Sequence, residues 1–159
     1  MQRFNLFILS VIFTPFILIS CSKDEVQAEK SIEGTWNVVE IISNYGDFSN
    51  NGFNPTETVS DVGELGTFTF TDNSVDFNFT RNDTTYNGIS SWNLDYEKVN
   101  SGFFKVPKFT LDISDQFLFD VIFEDNTKNA EKNATTVTFI ENPTNDGFGI
   151  QIQLSLEKK

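Results

Sequence analysis

The sequence predicts an all-β domain, an antiparallel up-and-down meander of about eight strands. Three observations predict it. Of the 159 residues 18 are Phe, and six of them, Phe68, Phe70, Phe77, Phe79, Phe109 and Phe139, sit in runs that alternate apolar and polar at period two. Clusters of Gly, Asn and Asp recur between those runs, where they supply turn chemistry. No stretch after Cys21 has the spacing of a long amphipathic helix.

The first strand is "GTWNVVEII", Gly34 to Ile42. A long Gly/Asn-rich segment follows, "NYGDFSNNGFNPTETVSDVG", which reads as a loop carrying Phe48 and Phe53. "GTFTFT" places Phe68 and Phe70 on one face, and "SVDFNFT" does the same for Val75, Phe77 and Phe79. The link "TDNS" between them makes the pair a hairpin. Alternation continues through Trp92, Leu94 and Tyr96, through Phe109, Leu111 and Ile113, through Val137 and Phe139, and through Ile150, Ile152, Leu154 and Leu156. "DQFLFDVIFED" differs, because Leu118 and Ile122 make its second face apolar too, so either a loop covers that face or it meets a partner. Short connections suit a meander, and closure into a barrel removes its edges; a two-sheet β-sandwich fits the same count.

Ahead of the domain, Arg3 precedes the apolar run "LFILSVIFTPFILIS", which ends abruptly at Cys21, the only cysteine. The run is too short for a comfortable membrane span and reads as a signal peptide over residues 1–20. Leu18, Ile19, Ser20 and Cys21 resemble the lipobox of bacterial lipoproteins. That resemblance implies a lipid-modified Cys21 as the first mature residue, with acyl chains that each add roughly 0.8 kcal/mol of membrane affinity per buried CH₂. "SKDE", Ser22, Lys23, Asp24 and Glu25, resembles the sorting signal of surface-exposed lipoproteins in the Bacteroidota. Residues 21–31 then form an acylated, acidic tether and 32–159 the domain. The expected location is the outer membrane, lipid-anchored and facing outward, with the periplasmic face as the alternative.

Ile32 to Val38, "IEGTWNV", looks like the opening of lipocalins and intracellular lipid-binding proteins. The resemblance implies a lipocalin-like barrel in which Gly34 and Trp36 form the floor. With its "FTF" hairpin and "W-x-L" strand, the chain is similar to small lipocalin-like domains of Bacteroidota lipoproteins. It departs from larger lipocalins in lacking a late Thr-Asp-Tyr element and a clear basic residue covering the Trp, since only Lys158 and Lys159 follow the last run. The inward Arg and Tyr with which fatty-acid carriers hold a carboxylate are absent from the last strand, so a ligand would be neutral or keep its charge near Lys105 or Lys108.

Composition excludes several functions. The net charge is −12, and one unit more negative without Arg3, so nucleic acid is repelled. There is no His, no cysteine beyond Cys21, no nucleophile elbow, no P-loop and no dinucleotide fingerprint, hence no expected catalytic residue or cofactor. Asp72 with Asp76 reads as a pair of turn carboxylates, the acidic loops lack calcium-binding spacing, and no metal site is expected. Asp83 to Thr85 resembles an O-glycan acceptor at Thr84. Two functions stay open. Either the interior takes a small apolar ligand, lined by Phe68, Phe70, Phe77, Phe79, Trp92, Phe109 and Phe139, or it is filled and the domain is an accessory protein that meets a surface partner through its loops.

Overall fold

The computed structural model describes residues 23–49, 52–114, 116–123, 134–143 and 147–159. A helix, α1 (Lys23–Ile32), precedes nine strands: β1 (Gly34–Ser49), β2 (Gly52–Phe70), β3 (Val75–Arg81), β4 (Thr84–Ser90), β5 (Trp92–Ser101), β6 (Phe104–Ile113), β7 (Phe117–Phe123), β8 (Thr136–Glu141) and β9 (Gly147–Lys158). They form one antiparallel sheet in the order β4-β3-β2-β1-β9-β8-β7-β6-β5. The chain therefore enters at the middle of the sheet, and its last strand returns beside its first.

The meander is as expected, with one strand more. The strand absent from the sequence reading is β4, whose alternation places Tyr86, Gly88 and Ser90 on the less exposed face and its one aliphatic residue, Ile89, in solvent. Gly88 faces the core because the Phe77 ring lies over it: a Cβ there would stand 2.9 Å from the Phe77 Cζ.

The sheet rolls over on itself. Five strand steps separate β3 from β7, roughly 24 Å in a flat sheet, yet the Phe77 and Phe117 rings are 5.5 Å apart. Closure into a barrel does not occur: β4 and β5 are the two edges and are not paired with each other. Only Ser91 separates them, too little chain for a hairpin turn that would lay one beside the other. Their corner is pinned instead to the link between β6 and β7. Ser90 Oγ donates to the Ser114 carbonyl at 2.9 Å, and Ser114 N donates to the Ser91 carbonyl at 3.1 Å.

The segment read as a loop between the first two strands is an extended continuation of β1 and β2. β1 and β2 pair from Gly34↔Phe70 to Ser49↔Gly52, and β9 follows β1 out to Phe48↔Gly147. Phe48 and Phe53, read as loop residues, are cross-strand neighbours with ring centroids 6.4 Å apart. This continuation bends at a bulge, where Gly63, Glu64 and Leu65 of β2 face the single residue Val39 of β1. Against β9 the extra residue is instead Val39, so that Val38 and Ile41 both turn inward.

A second correction concerns residues 21–31. From Lys23 onward the presumed tether is helical, and Ala28 and Ile32, one turn apart on the same helix face, are fully buried. The helix packs against β5. After it the backbone passes through Gly34 at φ 114°, a conformation open to residues without a Cβ, and so turns directly into β1.

This places α1 beneath Trp36, which is wholly buried and whose Nε1 donates to the Ile32 carbonyl at 2.6 Å. The basic cover that the sequence left unidentified is Lys158, paired with Trp36 across the β1–β9 ladder. Its ammonium lies 5.2 Å from the Trp36 ring centre and donates to the Ser31 carbonyl at 2.9 Å.

Candidate functional site

The seven predicted lining residues lie on the inner face, six of them buried and Trp92 partly so. Six of them pack against one another across that face. Phe68 stacks on Phe79 at 5.3 Å and meets Phe139 edge-on at 5.8 Å. Phe70 packs edge-on against Trp92 at 5.4 Å, and Trp92 Nε1 donates to the Thr71 carbonyl at 2.7 Å. Phe117 and Phe119, outside the predicted set, join the two halves of the roll through Phe77 and Phe139. Phe109 sits apart, against Tyr96 and Phe123. Each such pair adds about 0.5 to 1.5 kcal/mol beyond burial.

One end of this stack is capped by charge. Arg81, two residues beyond Phe79 and on the same face, reaches across the roll to Glu141, Nη1 to Oε2 3.8 Å. It also donates from Nη2 to the Tyr86 hydroxyl at 3.0 Å and lies over the Tyr86 ring. The last strand has no inward Arg; β3 supplies one, already engaged by a carboxylate. Beside it, Asn82 Nδ2 donates to the Tyr45 hydroxyl at 3.4 Å, tying the β3–β4 turn to β1.

Glu141 has its carboxyl raised above the usual value by burial, which outweighs the opposing effect of Arg81. A carboxyl raised in the folded state favours folding most below its unfolded value, near 4.5, and that contribution is lost as pH rises through the folded value. Glu141→Gln should therefore raise the melting temperature at pH 7 relative to the parent and flatten its fall between pH 4 and 7. An unchanged pH profile would show that the carboxylate is already fully compensated by Arg81.

Two grooves open on the surface, and the larger reaches Phe117 and Glu141 at the end of the ring stack. The larger, about 630 Å³, is bordered by Lys108, Thr110 and Asp112 of β6, Leu118 and Asp120 of β7, and Asn142 after β8. It adjoins a polar chain that crosses the outer face of six strands. Thr58 Oγ1 donates to Asn44 Oδ1 at 2.8 Å, Asn44 Nδ2 to Gln151 Oε1 at 3.3 Å, Gln151 Nε2 to Asn142 Oδ1 at 2.9 Å, and Asn142 Nδ2 to Asp120 Oδ2 at 3.1 Å. Lys108 closes the chain on Asp120 Oδ1 at 3.1 Å. Donor and acceptor alternate without a gap, so the ladder stiffens the outer surface and leaves its amides little capacity for a guest. Lys108 is thus committed to Asp120, while Lys105 is exposed near the start of β6. On β7, Leu118 and Ile122 are 59% and 49% exposed, so the described residues leave that apolar face open.

The second groove, about 470 Å³, opens between β2 and the β3–β4 turn and is bordered by Asp61, Val62, Glu64, Leu65, Thr80, Asn82 and Asp83. Among the described residues no three carboxylates are grouped to hold a metal ion. Asp72 is exposed in a bend and Asp76 exposed on β3. Thr84 is exposed at the start of β4, accessible as the acceptor pattern requires. Cys21 and Ser22 lie outside the described residues; Lys23, Asp24 and Glu25 form the first turn of α1. No family model, curated protein or solved structure matches the chain.

Proposed function

We propose that the chain is a lipid-anchored, non-catalytic interaction protein, displayed at the outer membrane, whose rolled sheet is a solid scaffold and whose working surface is its outside. The observation that supports this best is the continuous ring packing of the inner face from Phe68 to Phe119, capped by Arg81 and Glu141. A carrier of small apolar ligands needs a pocket of about 300 Å³ or more inside that face; here six of the seven residues expected to line it touch each other instead. The lipobox and the apolar run before Cys21 support the anchor.

Two measurements test the reading. Purified protein titrated with Nile red, a neutral apolar dye, should show no stoichiometric uptake. One-to-one uptake that is lost in a folded Phe77→Asp variant would establish the carrier instead. For the anchor, Cys21→Ser should abolish palmitate labelling in cells and release the protein from the membrane fraction, and retained labelling would refute it.

A further inference from the structure

Pairing between β2 and β3 ends at Gly66↔Phe79, whereas β2 continues back to Gly52. From Gly52 to Leu65 the strand has a described neighbour on the β1 side only. That is a long free edge, and its residues are mostly exposed, Val62 at 76%. Natural proteins shorten or cover such edges, because an unpaired row of N–H and C=O groups accepts another strand. Edge β5 is met by α1, and edge β4 has seven residues. Among the described residues, β2 is the long edge left open.

Its electrostatics select the occupant. Between Lys30 and Arg81 the chain has no Lys or Arg, and it carries Glu33, Glu40, Asp47, Glu57, Asp61, Glu64, Asp72 and Asp76. Three of these, Glu57, Asp61 and Glu64, lie on the free stretch itself, and the groove beside it adds Asp83 from the β3–β4 turn. A second copy of the same edge would set these carboxylates against like charges, which destabilises cross-strand pairs. A divalent ion finds no three-carboxylate group there. An extended cationic backbone meets both requirements: it pairs with the open ladder and neutralises the acids.

We propose that the free edge of β2 between Glu57 and Leu65 takes an extended, Lys/Arg-rich segment of another protein as an added strand. This rests on the reading that the protein works through its outside, and names the kind of partner. About eight residues, roughly 27 Å of strand, span the stretch. The groove between β2 and the β3–β4 turn receives side chains from one face of the guest.

The test uses the purified chain and a capped decapeptide of alternating Lys and Thr. Titration calorimetry should show one-to-one binding, and hydrogen exchange should show slowed amides within residues 57–64. The same peptide N-methylated at alternate residues keeps its charge and loses its ladder donors, so it should bind roughly tenfold more weakly or worse. The Asp61→Asn, Glu64→Gln, Asp83→Asn triple variant, with its circular dichroism unchanged, should show a loss of similar size. Equal binding of the N-methylated peptide would overturn strand addition, because charge alone would then suffice. Dimerisation of the chain through the same amides without peptide would overturn it in favour of a second copy. Neither result depends on the Nile red titration, which reports on the interior.

Discussion

Trp36→Ala lowers the unfolding free energy by about 3 to 5 kcal/mol, the range for deleting a large buried aromatic side chain. The site leaves little room for a smaller loss. Trp36 is fully buried between α1 and the last residues of β9, so truncation leaves a cavity bounded by two elements fixed elsewhere. It also removes the indole donor to the Ile32 carbonyl and the ring beneath the Lys158 ammonium. The Ile32 carbonyl, a buried acceptor at the end of α1, costs further when it loses its partner. The expected result is a lower urea midpoint by Trp92 fluorescence, with α1 amides near Ile32 exchanging faster than the sheet. A loss under about 1 kcal/mol, the scale of surface substitutions, would mean that α1 does not close this end of the roll.

What was legible in the sequence follows from what each strand faces. Phe68, Phe70, Phe77 and Phe79 alternate with polar residues because their strands have one face in the ring stack and one in water. Period two then records burial directly. Where burial is weak the record fades. The continuation of β1 and β2 beyond Ser43 is held by backbone pairing and polar contacts, such as the Thr58–Asn44 bond, so Gly, Asn, Pro and Thr serve it well and its composition reads as loop. In β4 the inward place opposite Phe77 belongs to Gly88, and the aliphatic Ile89 faces out, which inverts the pattern. The helix α1 is ten residues long, and the apolar side chains buried among its described ones are Ala28 and Ile32, too few positions to set a 3.6 period. Among site residues, the seven aromatic positions lie on the inner face, but spacing within strands carries no information on how far apart two facing strands stand. Whether rings line a space or fill it is decided by the roll. The same limit hid Arg81 and Lys158, whose partners lie on strands distant in sequence.

Gly66→Ala should be the most disruptive exchange of a small residue in the sheet. Gly66 ends the bulge of β2, at φ 149°, and is the last residue that pairs with β3. A Cβ built there runs into the Asn78 carbonyl oxygen and the Cα and Cβ of Phe79, backbone and side-chain root that cannot swing aside. Phe79 itself is fixed by stacking on Phe68 at 5.3 Å and on Tyr86 at 5.2 Å. Backbone strain of about 1 to 3 kcal/mol adds to an overpacking cost of similar size, so the total should be about 3 kcal/mol or more. The structural consequence is separation of β3 and β4 from β2. In hydrogen exchange, the amides of residues 75–80 should lose protection while those of the β1–β9 ladder keep it. Gly88→Ala is the comparison. Its Cβ meets only the far end of the Phe77 ring, at 2.9 Å, and that ring can tilt toward Phe117, so the cost should be about 1 kcal/mol. If Gly66→Ala proves no more costly than Gly88→Ala, the close approach of β2 and β3 at the bulge is not what holds the free edge of β2 apart from its neighbour.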